Sequence, residues 1–227
     1  SMYGGERVLP VYGRSVTSAP DPAEASREVA ESLGSMREFY TAARALASAE
    51  GVVVRSSEPI RLSSGRLSHY YFDIRALYSD PTNRERVVRA MISRIRRVLG
   101  TGGFKVATTA TAGIPIASLV ADRFRTGLVY YRSGSKDHGL GKGVEGVVRP
   151  GERFVGVDDL TTTGSTALAC VRAIRELGGS IEHYFVVLDR NEGASELLAA
   201  EGVRLHALCT VSDEFWSFIE LVAKGEA

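Results

Sequence analysis

The chain has 227 residues, with 28 Lys and Arg against 27 Asp and Glu. That length suits one large α/β domain, and a net charge of +1 gives no overall electrostatic case for nucleic acid or an anionic membrane. No apolar run nears the ~20 residues needed to span a bilayer, and the N-terminus lacks the apolar stretch of a signal peptide, so a cytoplasmic protein is expected.

Residues 1–34 are rich in Gly, Pro, Ser and Ala and read as an N-terminal extension, with Ser1 ahead of Met2 as a cloning remnant. Pro20 to Leu33 is compatible with a helix. Ser35 followed by Glu38 makes a capping box and opens a helix with Phe39, Ala42, Ala43 and Leu46 on one face, ending before Gly51. Short strands are expected over 52–75, with Ser63-Ser64-Gly65 as a turn and His69-Tyr70-Tyr71-Phe72-Asp73 as strand. From Asp80 to Gly100 the spacing predicts an amphipathic helix, with Val87, Val88, Met91, Ile92, Ile95 and Val98 inward. Beyond Gly100 the pattern alternates. Strands are predicted near 104–109, 127–131, 153–158, 182–188 and 203–209, and helices near 114–125, 164–178, 193–201 and 213–223. The alternation predicts a doubly wound, mainly parallel sheet with helices on both faces, spanning residues 35–227 with 35–80 as a small helix/strand subdomain. Cys170 and Cys209 fall in a predicted helix and strand as buried small hydrophobes, with neither disulfide nor metal-ligand spacing.

Ligands on such sheets bind beyond the carboxyl ends of the strands. The most informative loop there is Val157-Asp158-Asp159-Leu160-Thr161-Thr162-Thr163-Gly164-Ser165-Thr166. A strand ends in two acids, and a hydroxyl-rich turn then opens a helix whose free N–H groups suit a phosphate. Carboxylates beside a phosphate repel it unless they bind something attached to it, and ribose hydroxyls meet that condition. A Walker B reading would require a G-x-x-x-x-G-K-[ST] partner, which the chain lacks, and no G-x-G-x-x-G follows a strand. Thr109-Ala110-Thr111-Ala112-Gly113 makes a second anion-suited turn. Residues 132–146 hold Arg132, Lys136, His138 and Lys142 among five glycines. Lysine is scarce here, four against twenty-four arginines, so two lysines in one loop point to a cationic lid over a polyanion. Tyr70, Tyr71 and Phe72 offer a ring to stack on a planar ligand.

Together these segments resemble a type I phosphoribosyltransferase, specifically the orotate phosphoribosyltransferases. The 157–166 stretch is similar to the family's phosphoribosyl-pyrophosphate (PRPP) signature, and Ser64-Gly65 to Tyr71-Phe72-Asp73 to the SG(R/K)xSxYYxD stretch of the orotate enzymes. Thr111-Ala112-Gly113-Ile114-Pro115 is similar to their pyrophosphate-loop turn, Arg132 to Gly139 to their RxxxKxHG loop, and Asp189-Arg190 to the DR ending a later strand. The likeness runs over roughly residues 36–211.

The resemblance implies the type I phosphoribosyltransferase fold, with 35–80 as a base-binding hood. It implies transfer of 5-phosphoribosyl from PRPP to orotate in de novo pyrimidine biosynthesis, with Mg²⁺ bound mainly through PRPP rather than by a direct protein ligand. By position, Asp158 and Asp159 hold the ribose hydroxyls, while Leu160, Thr161, Thr162, Thr163, Gly164, Ser165 and Thr166 cradle the 5′-phosphate. Thr111 and Ala112 meet the pyrophosphate, and Arg132, Lys136 and His138 close on it, in this family usually across a homodimer. Tyr71, Phe72, Thr162 and Arg190 position orotate. Ser63, Ala112 and Ser133 stand where some relatives have lysine, so Lys136 and Arg132 carry more of the pyrophosphate charge. The competing readings are a transferase for another base, which would lose the aromatic SG stretch, and a PRPP-sensing regulator, which would need a DNA-binding module.

Overall fold

The computed structural model describes residues 18–61, 67–132 and 143–225. Asp21 starts the first helix, its carboxylate accepting from the N–H groups of Ala23 and Glu24, and α1 runs from Pro22 to Ser48. The predicted start at Ser35 is corrected, since the helix passes through it unbroken. Glu38 explains why the capping box does not form. It is buried, pairs with Arg94 and Arg97, and accepts a hydrogen bond from the Ser93 hydroxyl. Gly34 keeps the path clear, because a Cβ there would lie 3.2 Å from Arg97 Nε.

Burial pushes the Glu38 carboxyl up, but hydrogen bonds from Arg97, Arg94 and Ser93 outweigh it and hold the group below its ordinary 4.5. A depressed carboxyl contributes stability that is present above its unfolded value and lost as pH falls through the folded one. Glu38→Ala leaves two guanidiniums without their acid and should destabilise by about 3 kcal/mol. The shift in urea midpoint at pH 7 measures it, and the gap from wild type should narrow as pH falls below 4.5.

Strands β1 (Val53–Arg61) and β2 (Leu67–Phe72) pair antiparallel, with Val53 opposite Phe72 and Val54 opposite Tyr71. The predicted turn at 63–65 lies outside the described residues. A 3₁₀ turn over Ile74–Ser79 leads to α2 (Pro81–Leu99), capped by Asp80. Val87, Val88, Met91, Ile92 and Ile95 are buried as predicted, and Val98 is half-buried.

The main sheet contains β3 (Lys105–Thr109), β4 (Leu128–Tyr131), β5 (Val144–Glu145), β6 (Arg153–Thr161), β7 (Ser180–Asp189) and β8 (Arg204–Thr210) in the order β5-β4-β3-β6-β7-β8. All neighbours are parallel except β4 and β5. The short edge strand β5 was not predicted. Successive residues of a strand face opposite ways, and β6 and β7 split accordingly. Val155, Val157, Phe185 and Val187 join a core with α1, α2, α3 (Ile114–Phe124) and α6 (Asp213–Ala223). Phe154, Tyr184 and Val186 join the core under α4 (Ser165–Glu176) and α5 (Ala194–Ala199). The doubly wound prediction is thus met, with the cysteines free and buried, one in α4 and one in β8.

The β1/β2 hairpin stands outside this sheet and is pinned by the last helix. Trp216 of α6 packs on Tyr70 at 4.0 Å and on Phe72 at 5.6 Å between ring centroids, while Phe218 packs on Phe39 and Tyr40 of α1.

Candidate active site

Strand β6 does not end at its acids, as predicted, but continues to Thr161. Strand β7 holds this extension: Asp158 pairs in register with Val186, and Thr161 with Asp189. Asp158 and Asp159 are consequently 5% and 8% exposed, at the floor of a cavity of about 530 Å³.

Three segments wall this cavity. Leu160 to Thr166 form one wall, where Gly164 takes φ +82° and turns the chain into α4. A side chain at Gly164 would crowd Ala194, its Cβ 3.0 Å from that Cα, so the turn lies tight against α5. No side chain caps α4, which leaves its first N–H groups directed at the cavity mouth, and the Thr163 hydroxyl bonds that of Ser165 at 3.2 Å. Thr109 to Ala112 form the second wall, with a cis peptide bond between Ala110 and Thr111. Tyr71 to Arg75 form the third.

The acids are held by hydroxyls and a backbone amide. Thr109 and Tyr184 both donate to Oδ2 of Asp158, the latter at 3.0 Å, and the Asp159 N–H donates to Oδ1 at 3.1 Å. Gly113 must be glycine, because a Cβ there would fall 1.9 Å from Asp158 Oδ1. Burial, then the charge of Asp159, push the Asp158 carboxyl up to about 8, against the pull of the Thr109 and Tyr184 hydroxyls. Burial raises Asp159 as well. Burial and the neighbouring charge thus favour the protonated form of Asp158, and hydroxyl donors arriving in the cavity favour the ionised one.

The structure brings Tyr71, Phe72, Thr111, Ala112, Asp158, Asp159 and residues 160–166 into one cavity. Arg190 stands behind that wall, its guanidinium 5.9 Å from the centroid of the Phe72 ring and 3.2 Å from a Glu192 carboxylate oxygen. Arg132 directly follows β4, exposed, and its N–H donates to the Gly143 carbonyl at 2.7 Å; it is not part of the cavity wall. Lys136 and His138 lie outside the described residues. Arg75 and Tyr184 also line the cavity without having been singled out from the sequence, whereas Thr109 belongs to the second predicted turn. Arg75 pairs with Asp73 at 2.7 Å and donates to the Tyr71 hydroxyl at 3.3 Å; its nearness to the aromatic stretch was the available signal.

Among the described residues no group of three His, Cys, Asp or Glu is placed to hold a metal ion, and no helix is long and apolar enough to cross a membrane. Two acids alone suit a hard divalent cation that is held by a phosphorylated ligand and its own waters rather than by the protein.

Residues 77–203 match the model of the phosphoribosyl transferase domain family. The chain is 38% identical over 154 residues to an orotate phosphoribosyltransferase of Pyrococcus abyssi, covering 68% of this chain and 84% of that one. It is 40% identical over 174 residues to one of Cereibacter sphaeroides, covering 74% of each. The crystal structure of orotate phosphoribosyltransferase from Aeropyrum pernix superposes with a TM-score of 0.66 at 34% identity, over 77% of this chain and 94% of that one.

Proposed function

The chain belongs to the orotate phosphoribosyltransferase family, and on that premise we propose that its cavity transfers the 5-phosphoribosyl group of PRPP to orotate. The observation carrying this reading is the convergence of two buried acids, an uncapped hydroxyl-rich helix start and an aromatic edge on one cavity. In the reaction a ring nitrogen of orotate bonds to the anomeric carbon as the carbon–oxygen bond to pyrophosphate breaks. The products are orotidine 5′-phosphate and pyrophosphate.

Asp158 and Asp159 accept from the ribose hydroxyls, and the N–H groups and hydroxyls of residues 160–166 hold the 5′-phosphate. Thr111 and Ala112 lie along the pyrophosphate. Tyr71, Phe72, Thr162 and Arg190 position orotate, with the hood formed by residues 35–80. Arg75, on the same wall, adds a cation toward an anionic base. Arg132, Lys136 and His138 close over the leaving group from the second subunit of a homodimer. The transition state has oxocarbenium character, so rate comes mainly from placing the base and neutralising the leaving group. Mg²⁺ bound through PRPP oxygens supplies part of that neutralisation. A reaction on PRPP supports a cytoplasmic location.

The test is an ultraviolet assay with PRPP and Mg²⁺, run with orotate, uracil, hypoxanthine and adenine in parallel. Orotate alone should be consumed. Faster consumption of a purine would overturn the acceptor assignment while leaving the donor in place.

A further inference from the structure

Tyr184 is fully buried, and its hydroxyl donates to Oδ2 of Asp158 at 3.0 Å. A buried phenol ordinarily finds some partner, so this bond alone says little. The space around it says more. Tyr184 stands opposite Gly156 in the β6–β7 register, and a Cβ at Gly156 would lie 2.1 Å from the tyrosine Cδ2. Gly156 sits among the buried Phe154, Val155 and Val157 of a central strand, where glycine weakens the sheet. The gap it leaves is filled by the ring that reaches the acid two residues further on.

We infer that Tyr184 is a positioning residue for the transfer reaction: crossing Gly156, its hydroxyl fixes the Asp158 carboxylate as an acceptor for a ribose hydroxyl of PRPP. The inference rests on the ribose role of Asp158 given above. The need is physical. A neutral carboxyl can donate but accepts poorly, and burial together with Asp159 drives Asp158 toward that form. The surrounding groups give little help. Tyr78 of the 3₁₀ turn and Cys170 of α4 are kept neutral by burial, and Arg75 acts through Asp159. The groups that favour an ionised Asp158 are the two hydroxyls on Oδ2 and the Asp159 N–H on Oδ1.

Tyr184→Phe keeps the ring over Gly156 and removes only the donor. PRPP affinity measured by calorimetry from about pH 6 to 9, with thermal unfolding alongside, tests the inference. At pH 7 the variant should bind roughly tenfold more weakly, the scale of a hydrogen bond to a charged group. The deficit should shrink as pH rises, because Asp158 then ionises unaided, and the limb of the binding curve should move about one pH unit to the alkaline side. Titration of PRPP itself cancels in the ratio to wild type. Gly156→Ala, which displaces the same hydroxyl without removing it, should reproduce the pattern. A ratio that stays flat with pH, whether at unity or at a constant deficit, overturns the inference, as does wild-type affinity throughout in Gly156→Ala. Failure of the wild-type protein itself to bind PRPP would instead sink the ribose assignment beneath it.

Discussion

Replacing Asp158 and Asp159 together with asparagine should weaken PRPP binding about 10³-fold, while the folded protein gains stability at alkaline pH. Each charge-assisted bond to a ribose hydroxyl contributes roughly 1.5–3 kcal/mol, so two lost acceptors account for a factor of this size. The stability gain has the opposite origin. Burial raises Asp158 from 3.8 to about 8 in the folded protein, so between those values the unfolded chain releases a proton that the folded one keeps. Stability of the wild type therefore falls as pH rises through that window, and an amide, which mimics the protonated acid, escapes the loss. The melting temperature of the variant should exceed that of wild type by on the order of 5 °C at pH 8.5 and converge with it near pH 4. Calorimetry and thermal unfolding on one preparation measure both effects. Unchanged PRPP affinity would contradict the ribose role, and a melting difference independent of pH would contradict the raised Asp158 carboxyl.

Lys136→Ala should lower turnover by about 10²-fold, the scale seen when a preorganised charge-stabilising group is removed. The chain has only four lysines, and Ser133 and Ala112 beside the predicted pyrophosphate positions are uncharged, so little is left to replace this one. Steady-state rates at saturating orotate and PRPP measure the loss; near wild-type turnover removes the lid from the mechanism. If the loop serves the neighbouring subunit, mixing Lys136→Ala protein with Asp158→Asn/Asp159→Asn protein should restore activity. A mixed dimer then holds one of its two sites with both parts intact, and with about half the dimers mixed the solution approaches about a quarter of wild-type activity. No restoration would mean that each chain completes its own site.

The alternation of strands and helices after Gly100 was legible because each element carries its own period and ends on turn residues. The acid and hydroxyl loop was legible because its chemistry is contiguous in the chain. What escaped depends on partners far away in sequence. Glu38 looked like a helix cap because its true partners, Arg94 and Arg97, lie 56 and 59 residues on. Asp158 and Asp159 looked like the end of a strand because acids are uncommon inside a sheet; β7 and the hydroxyls of Thr109 and Tyr184 make them tolerable there. Tyr184 was not singled out, since nothing local in the sequence ties it to Gly156 or Asp158. Arg190 was placed with the orotate residues, and its guanidinium lies near the Phe72 ring, behind the cavity wall. Lys136 and His138, read from the sequence, lie outside the described residues.

The contact between Trp216 and Phe72 gives the molecule a built-in optical reporter. Trp216 is the chain's single tryptophan, and its ring stacks 5.6 Å from Phe72, on the wall assigned to the base. All indole emission therefore originates one ring away from the wall proposed for the acceptor. Base docking and PRPP docking can then be followed separately on unlabelled protein, which makes their order of addition a matter of fluorescence rather than kinetics.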